Sequence, residues 1–495
     1  MKNKKQKTML PSKIISALIA GLLGISSMAT ADVSDNEQQQ SRVEEIVVTA
    51  SKREESIMDV AQSVQYMSGE QLEGSGVQTL AEIVQMIPGV SQIGASAETY
   101  FNFRGTGANL ANDSPVGFYI DGMPYYIVDS PVGPDTEMFD LESIQVLRGP
   151  QGTLYGQGAL GGTVLITTAK PDLEQFRARV RAGASSMHDG GNGHTYDVSL
   201  SVPLIEGTLA ASLTAGGSRD PGLAEGVDLP GSDLDENDRW YARLKVLWEP
   251  SDDLSITALI QHRDLEENES RALYSAFDPP ILGRTGGVNG FTTTKVDMYG
   301  LNIEWDVGFA TLTSSTSQLN YEYNRFLGAS FADPNLGTFL ITLGDNDPDI
   351  ETFNQELRLT SNGDGEWDWI VGVNFTEGEN PGRRELVTLE PLIFASTVAD
   401  VDNFESEQLA LFGEISRSFM DGLITPLLGL RYFRDDRETQ LLSTFELPGF
   451  SLPLETIDEE ERFSLVSPRF NLRITPSDDM TVSYTHLTLP TSRSV

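Results

Sequence analysis

The sequence contains no cysteine among its 495 residues. Disulfides, thiolate nucleophiles and cysteine-ligated metals are thereby excluded. The four histidines, His188, His194, His262 and His486, show no metal-ligand spacing. There is no G-x-S-x-G, H-E-x-x-H or P-loop pattern, and the scattered carboxylates form no catalytic pair. Nothing argues for an enzyme, and no resident cofactor or metal is implied. Beyond the N-terminus no stretch approaches the ~20 apolar residues of a transmembrane helix. Bases are scarce: 34 stand against 73 acids, for a net charge of -39. So acidic a chain repels nucleic acid and does not seek anionic lipid. The acids read as solvated loops kept soluble by charge. At Asp233-Leu234-Asp235-Glu236-Asn237-Asp238 they also suit a loop that binds divalent cations or lies against lipopolysaccharide.

What is present begins with Lys2, Lys4, Lys5, Lys7 and Lys13, a basic front without acids. Ile14 to Ser27 is an apolar run too short to span a bilayer, and Ala29-Thr30-Ala31 offers small residues for cleavage. Residues 1–31 are therefore expected to be a secretory signal peptide. A polar, Gln-rich leader follows, and in it stands the β-branched run Glu45-Ile46-Val47-Val48-Thr49-Ala50. Such a run adds as a strand to a partner's sheet edge, or it is the first strand of the next domain; both readings stay open.

Residues 51–172 form a Gly-rich block. Gln71 to Gln85 carries Leu72, Leu80, Ile83 and Val84 at helical spacing, and Ile87-Pro88-Gly89 stops it. Strands are expected at Tyr100 to Arg104, Val116 to Ile120, Ser143 to Leu147 and Gly162 to Thr168. Gly156-Gln157-Gly158-Ala159-Leu160-Gly161 fits G-x-G-x-x-G, but a strand follows it where a dinucleotide site needs a helix. These glycines are turn-formers.

After Pro171 the texture becomes dyad alternation. Trp240, Ala242, Leu244, Val246 and Trp248 oppose Arg243, Lys245 and Glu249, and other segments repeat the pattern. Short turns alternate with long polar stretches at about 266–295, 324–350, 377–404 and 434–461, which read as loops. Short turns on one rim and long loops on the other suit an outer-membrane barrel. A secreted β-sandwich would have no need of aromatics at its strand ends. Residues 173 onward hold roughly fourteen strand candidates.

Six ordered motifs carry a resemblance. They are Asp59-Val60-Ala61-Gln62-Ser63-Val64, Ile87-Pro88-Gly89-Val90, Phe103-Arg104-Gly105, Tyr119-Ile120-Asp121-Gly122-Met123-Pro124, Leu147-Arg148-Gly149-Pro150-Gln151-Gly152-Thr153-Leu154-Tyr155-Gly156, and Gly161-Gly162-Thr163. Together they resemble the plug of TonB-dependent receptors, over residues 44 to 171. The resemblance implies an antiparallel, up-and-down membrane β-barrel, incomplete here, with a small N-terminal α/β plug domain in its lumen. The implied domains are a leader with TonB box at 32–50, a plug at 51–172 and a partial barrel at 173–484. Residues 485–495 lose the alternation and read as a non-native tail, so that the barrel, which has 22 strands in the family, would be left with two bare edges.

The resemblance also implies roles. Glu45, Ile46, Val47, Val48, Thr49 and Ala50 resemble the box that TonB grips from the periplasm. Arg104 and Arg148 resemble plug arginines that pair with barrel glutamates. Glu356 and Glu414, out of phase with their apolar neighbours, are the expected partners. Gly105, Gly149, Pro150, Gly152, Gly156, Gly161 and Gly162 belong to the plug motifs. Tyr100, Tyr125 and Tyr126 are expected to stack on a flat ligand or to pack on the barrel wall. The implied activity is energised uptake of a scarce ligand across a Gram-negative outer membrane by a monomer lodged in lipid. A ferric siderophore or other iron complex is the first expectation. The alternatives are an oligosaccharide or other organic nutrient, or a surface ligand-binding barrel without transport.

Overall fold

The computed structural model describes residues 46–93, 100–106, 114–134, 137–156, 158–186, 191–221, 236–269, 290–333, 337–363, 366–389, 396–447, 450–477 and 480–487. The signal peptide, most of the leader with Glu45, Asp233 to Asp235, and the tail from Thr488 lie outside them. Residues 1–46 and 47–495 form two compact units. Of the first, only the exposed Ile46 is described.

In the second unit an inner domain is built on a five-stranded sheet. Its order is Val64–Ser68, Leu141–Arg148, Gly162–Thr168, Val116–Ile120, Met123–Pro124. Leu141–Arg148 and Gly162–Thr168 are buried almost without a break, Ser143 and Gln145 included, because they lie at the centre of this sheet and are covered on both faces. Phe101, Phe103, Leu80, Ile83, Ile120, Ile144 and Ile166 are almost wholly buried. Each such side chain contributes about 1.5–3 kcal/mol relative to exposure. The expected single helix is two, Gly69–Ser75 and Leu80–Gln85. Gly76 ends the first in a left-handed cap at φ 76°. Ser68 and Gln71 close a capping box at its start, and Thr79 caps the second.

Around this domain runs a sheet of fourteen antiparallel strands from Arg177–Ser186 to Met480–Leu487. Neighbours in sequence are neighbours in space, except that Arg383–Leu389 is inserted as a short strand between the distal parts of its neighbours. The sheet is inside-out. Trp240, Leu244 and Trp248 are exposed, whereas Tyr241, Arg243 and Lys245 of the same strand are buried. That alternation is what lipid outside and a polar lumen inside require. Trp248, Trp305, Trp367 and Phe419 lie exposed beside the short turns, as an aromatic girdle does.

Three of the stretches expected to be loops are largely strand. Ala310–Asp333, Gly337–Ser361, Ser396–Arg417, Ile424–Leu447 and Phe450–Ser477 continue the ladder through them, the last over 28 residues. A strand of ~10 residues crosses a bilayer. The remainder continues the ladder past that length, so backbone pairing persists where the sequence has lost its apolar alternation. Residues 270–289 lie outside the described residues. The last strand runs three residues beyond Tyr484, to Leu487, and Thr485 pairs with Asn471, so alternation fails there before the ladder does. Among the described residues, Arg177–Ser186 and Met480–Leu487 are the two ends of the sheet.

Candidate functional site

The β-branched run does not dangle. Val47–Val48 pairs with Glu55–Ser56 as a small hairpin. Val48 and Ala50 are fully buried, in a cluster with Leu147, Leu154, Tyr155, Ile370 and Phe412. Thr49 N donates to Gln145 Oε1 at 3.0 Å, and the Tyr155 hydroxyl donates to Ala50 O at 2.9 Å. The chain then reverses at Lys52, whose φ of 57° is unusual for a residue with a side chain. Its Nζ lies 5.9, 5.3 and 5.1 Å from the ring centroids of Tyr119, Tyr155 and Phe412, and 2.5 Å from Glu356 Oε2. This is a cation held among aromatic faces with one carboxylate. Burial pushes the Lys52 ammonium down from 10.5 to about 8, against the pull of Glu356. Burial also pushes the Tyr119 and Tyr155 hydroxyls up, so both remain donors.

On the other flank the inner domain supplies acids and the wall supplies bases. Asp121 meets Lys245 at 3.1 Å, and Glu137 meets Arg263 at 3.1 Å. Asp140 meets Arg179 at 3.2 Å and Arg243 at 3.7 Å, and it accepts from Ser199 and Thr214 at 2.8 and 2.6 Å. Burial raises the Asp140 carboxyl, but those hydrogen bonds and the two arginines outweigh it and hold it below the usual range. Asp121 and Asp140, like Lys52, sit at positive φ, 50° and 60°. Local backbone strain of about 1–3 kcal/mol at each is held in place by the contacts with the wall.

Residues 56–163 match the TonB-dependent Receptor Plug Domain family. The inner domain is a TonB-dependent receptor plug. The chain is 30% identical over 197 residues to the pesticin receptor of Yersinia pestis, and 25% identical over 213 residues to an iron-regulated outer membrane virulence protein of Vibrio cholerae. Those matches cover 39% and 41% of the chain, and 27% and 30% of the relatives. The ferric yersiniabactin uptake receptor FyuA from Yersinia pestis shares the fold, with a TM-score of 0.73 at 19% identity, over 86% of this chain and 63% of that one. The chain thus spans under a third of the curated relatives it matches. Plug and inside-out sheet together are the plug-and-barrel fold of TonB-dependent receptors, and the chain is an outer-membrane protein.

The plug arginines do not meet the glutamates expected for them. Glu356 is taken by Lys52 and by Arg358 at 3.0 Å, and Glu414 by Arg469 at 2.8 Å. Both glutamates do face the lumen, 8% and 5% exposed. Arg148 Nη1 instead donates to Pro88 O at 3.4 Å, and the exposed Arg104 turns at φ 50° over Gly149. Arg104 thus lies beside Gly89 and Gly149 of the plug. Gly105, Gly149 and Gly156 adopt left-handed φ of 82°, 102° and 76°, beside Pro150 and Gly152 in the same turns. Gly162 is needed for another reason: a Cβ there would stand 2.5 Å from Leu147 O. Gly161 packs on the Phe103 side chain.

A cleft runs between plug and barrel, with about 780 Å³ of open space including its mouth. Tyr125 and Tyr126 line it at one part, Tyr119, Tyr155, Glu356 and Arg431 at another. Tyr100 does not line it. Among the described residues no cluster of metal-ligating side chains occurs; Glu236 and Asp238 of the acidic segment face Arg219. Sequence reasoning missed Lys52, Asp121, Glu137, Asp140 and Arg431. For Lys245 and Arg243 the signal was available, since both lie on the polar face opposite Trp240 and Trp248.

Proposed function

We propose that this chain belongs to a receptor for energised uptake of an iron complex across the outer membrane, with TonB as its periplasmic partner. The observation that carries the reading is the Val47–Ala50 segment, tucked at the plug–barrel junction and joined directly to the buried Lys52–Glu356 pair. A partner pulling this segment must move a side chain that touches both plug and barrel, which is what opening a plugged pore demands. No covalent chemistry is needed. The names of the relatives, a pesticin receptor and an iron-regulated outer membrane protein, favour an iron complex over an oligosaccharide. The test is to delete residues 45–50 and follow uptake of radiolabelled ferric complexes by energised cells. Loss of uptake with surface binding retained is expected. Unchanged energised uptake would leave a ligand-binding barrel without transport.

A further inference from the structure

Arg431, on Ile424–Leu447, faces the cleft and is 6% exposed. Among the described residues its guanidinium makes no hydrogen bond and no ion pair, and its Nε is buried without an acceptor. Arg358 and Arg469 likewise have a buried Nε without an acceptor, but each holds a glutamate through Nη1. What Arg431 touches is the face of Phe412, 5.5 Å from the ring centroid. A buried cation without an anion in contact is unfavourable, and the planar fork is left to find an acceptor on its cleft side. The guanidinium packs closely on Gly156, where an added Cβ would stand 2.5 Å from Arg431 Nη2. The rings of Tyr119 and Tyr155 form the adjoining wall of the same cleft.

We propose that Arg431 is an anion subsite on the ligand's route between plug and barrel. It takes an anionic oxygen group of the transported compound, a carboxylate or a phenolate, in a charge-assisted fork. This rests on the uptake reading and narrows it to ligands bearing such oxygens, the donors that also bind ferric iron.

The full-length protein in detergent is titrated calorimetrically with benzoate for the carboxylate arm, 4-nitrocatechol at pH 8 for the phenolate arm, and neutral benzamide. Binding of either anion, weakened about tenfold or more in Arg431→Gln and less in Arg431→Lys, is expected, with benzamide unaffected; tenfold corresponds to one charged hydrogen bond. Gly156→Ala, whose added Cβ would push the guanidinium from its seat, should reproduce the loss and stands in if Arg431→Gln does not fold. Absence of anion binding, equal affinity in Arg431→Gln, or an equal loss for benzamide would overturn the subsite. An Arg431-dependent titration with uptake indifferent to deletion of residues 45–50 overturns the transport reading alone. The converse pair of results overturns the subsite alone.

Discussion

Lys52 Nζ lies 2.5 Å from Glu356 Oε2, although 304 positions separate the two residues. The pair is not symmetric. Without Lys52, Glu356 keeps Arg358; without Glu356, Lys52 is buried among rings with no anion in contact. Breaking a buried pair from the side that strands a charge is destabilising by about 3–5 kcal/mol, whereas an apolar replacement is often neutral. Glu356→Gln should therefore expose the Val47–Ala50 segment, and Lys52→Met should not. The chain has no cysteine of its own, so Val48→Cys is a clean probe. Its maleimide labelling should accelerate by about tenfold or more in Glu356→Gln and return in the double variant, given the size of that penalty. Equal effects of the two single variants would contradict the asymmetry.

The same lysine sets a pH dependence. Withdrawn into water it regains its ordinary 10.5; buried, it titrates at about 8. Between those values the withdrawn form binds the proton that the buried form has lost. Raising pH through this window therefore favours the buried segment, and below it both forms are protonated and pH has no effect. A nitroxide at Val48→Cys should become less mobile from pH 8 to 10.5, and Lys52→Met should abolish the change.

Asp121 and Lys245 tie the plug to the opposite flank, and Lys245 also donates to Thr168 Oγ1 at 2.8 Å. Asp121→Asn leaves that lysine buried without its carboxylate and should destabilise plug docking by about 3 kcal/mol. Urea-dependent proteolysis of the plug reads this directly. Adding Lys245→Met should recover most of the loss; no recovery would mean that Asp121 acts through its left-handed turn instead.

Two plug glycines should respond oppositely to a methyl group. Gly162→Ala drives Cβ against Leu147 O, backbone that cannot step aside, and overpacking of this kind costs about 1–3 kcal/mol or more. Gly74, inside the helix Gly69–Ser75, meets nothing within 4 Å, so Gly74→Ala should stabilise by about 0.5–1 kcal/mol. Thermal unfolding of the two variants checks both signs.

Much of this was legible beforehand. Val116–Ile120 and Gly162–Thr168 are found to the residue, because β-branched runs bounded by glycine leave little choice. Phase alone placed Glu356 and Glu414 in the lumen. What phase does not contain is the angular position of the plug, and that decides which lumenal charge meets which plug residue. Hence Lys52, not Arg104 or Arg148, reaches Glu356. The break at Gly76 was hidden because Leu72, Leu80, Ile83 and Val84 keep helical spacing across it. The distal halves of the long strands were hidden because their residues do not alternate, although their backbones pair.

The distribution of partners along the chain also orders assembly. Asp140 lies 39 residues from Arg179 and 103 from Arg243, whereas Lys52 must wait for Glu356. Loop-closure entropy grows with separation, and near contacts form before distant ones. The plug is accordingly expected to seat on the first-made strands through its acids, with the Lys52 segment threaded last, and pulse-labelling of Val48→Cys during refolding should find that site protected after Asp140. The last part to be enclosed is then the N-terminal segment itself, so its withdrawal retraces the final step of folding and leaves the earlier ones standing.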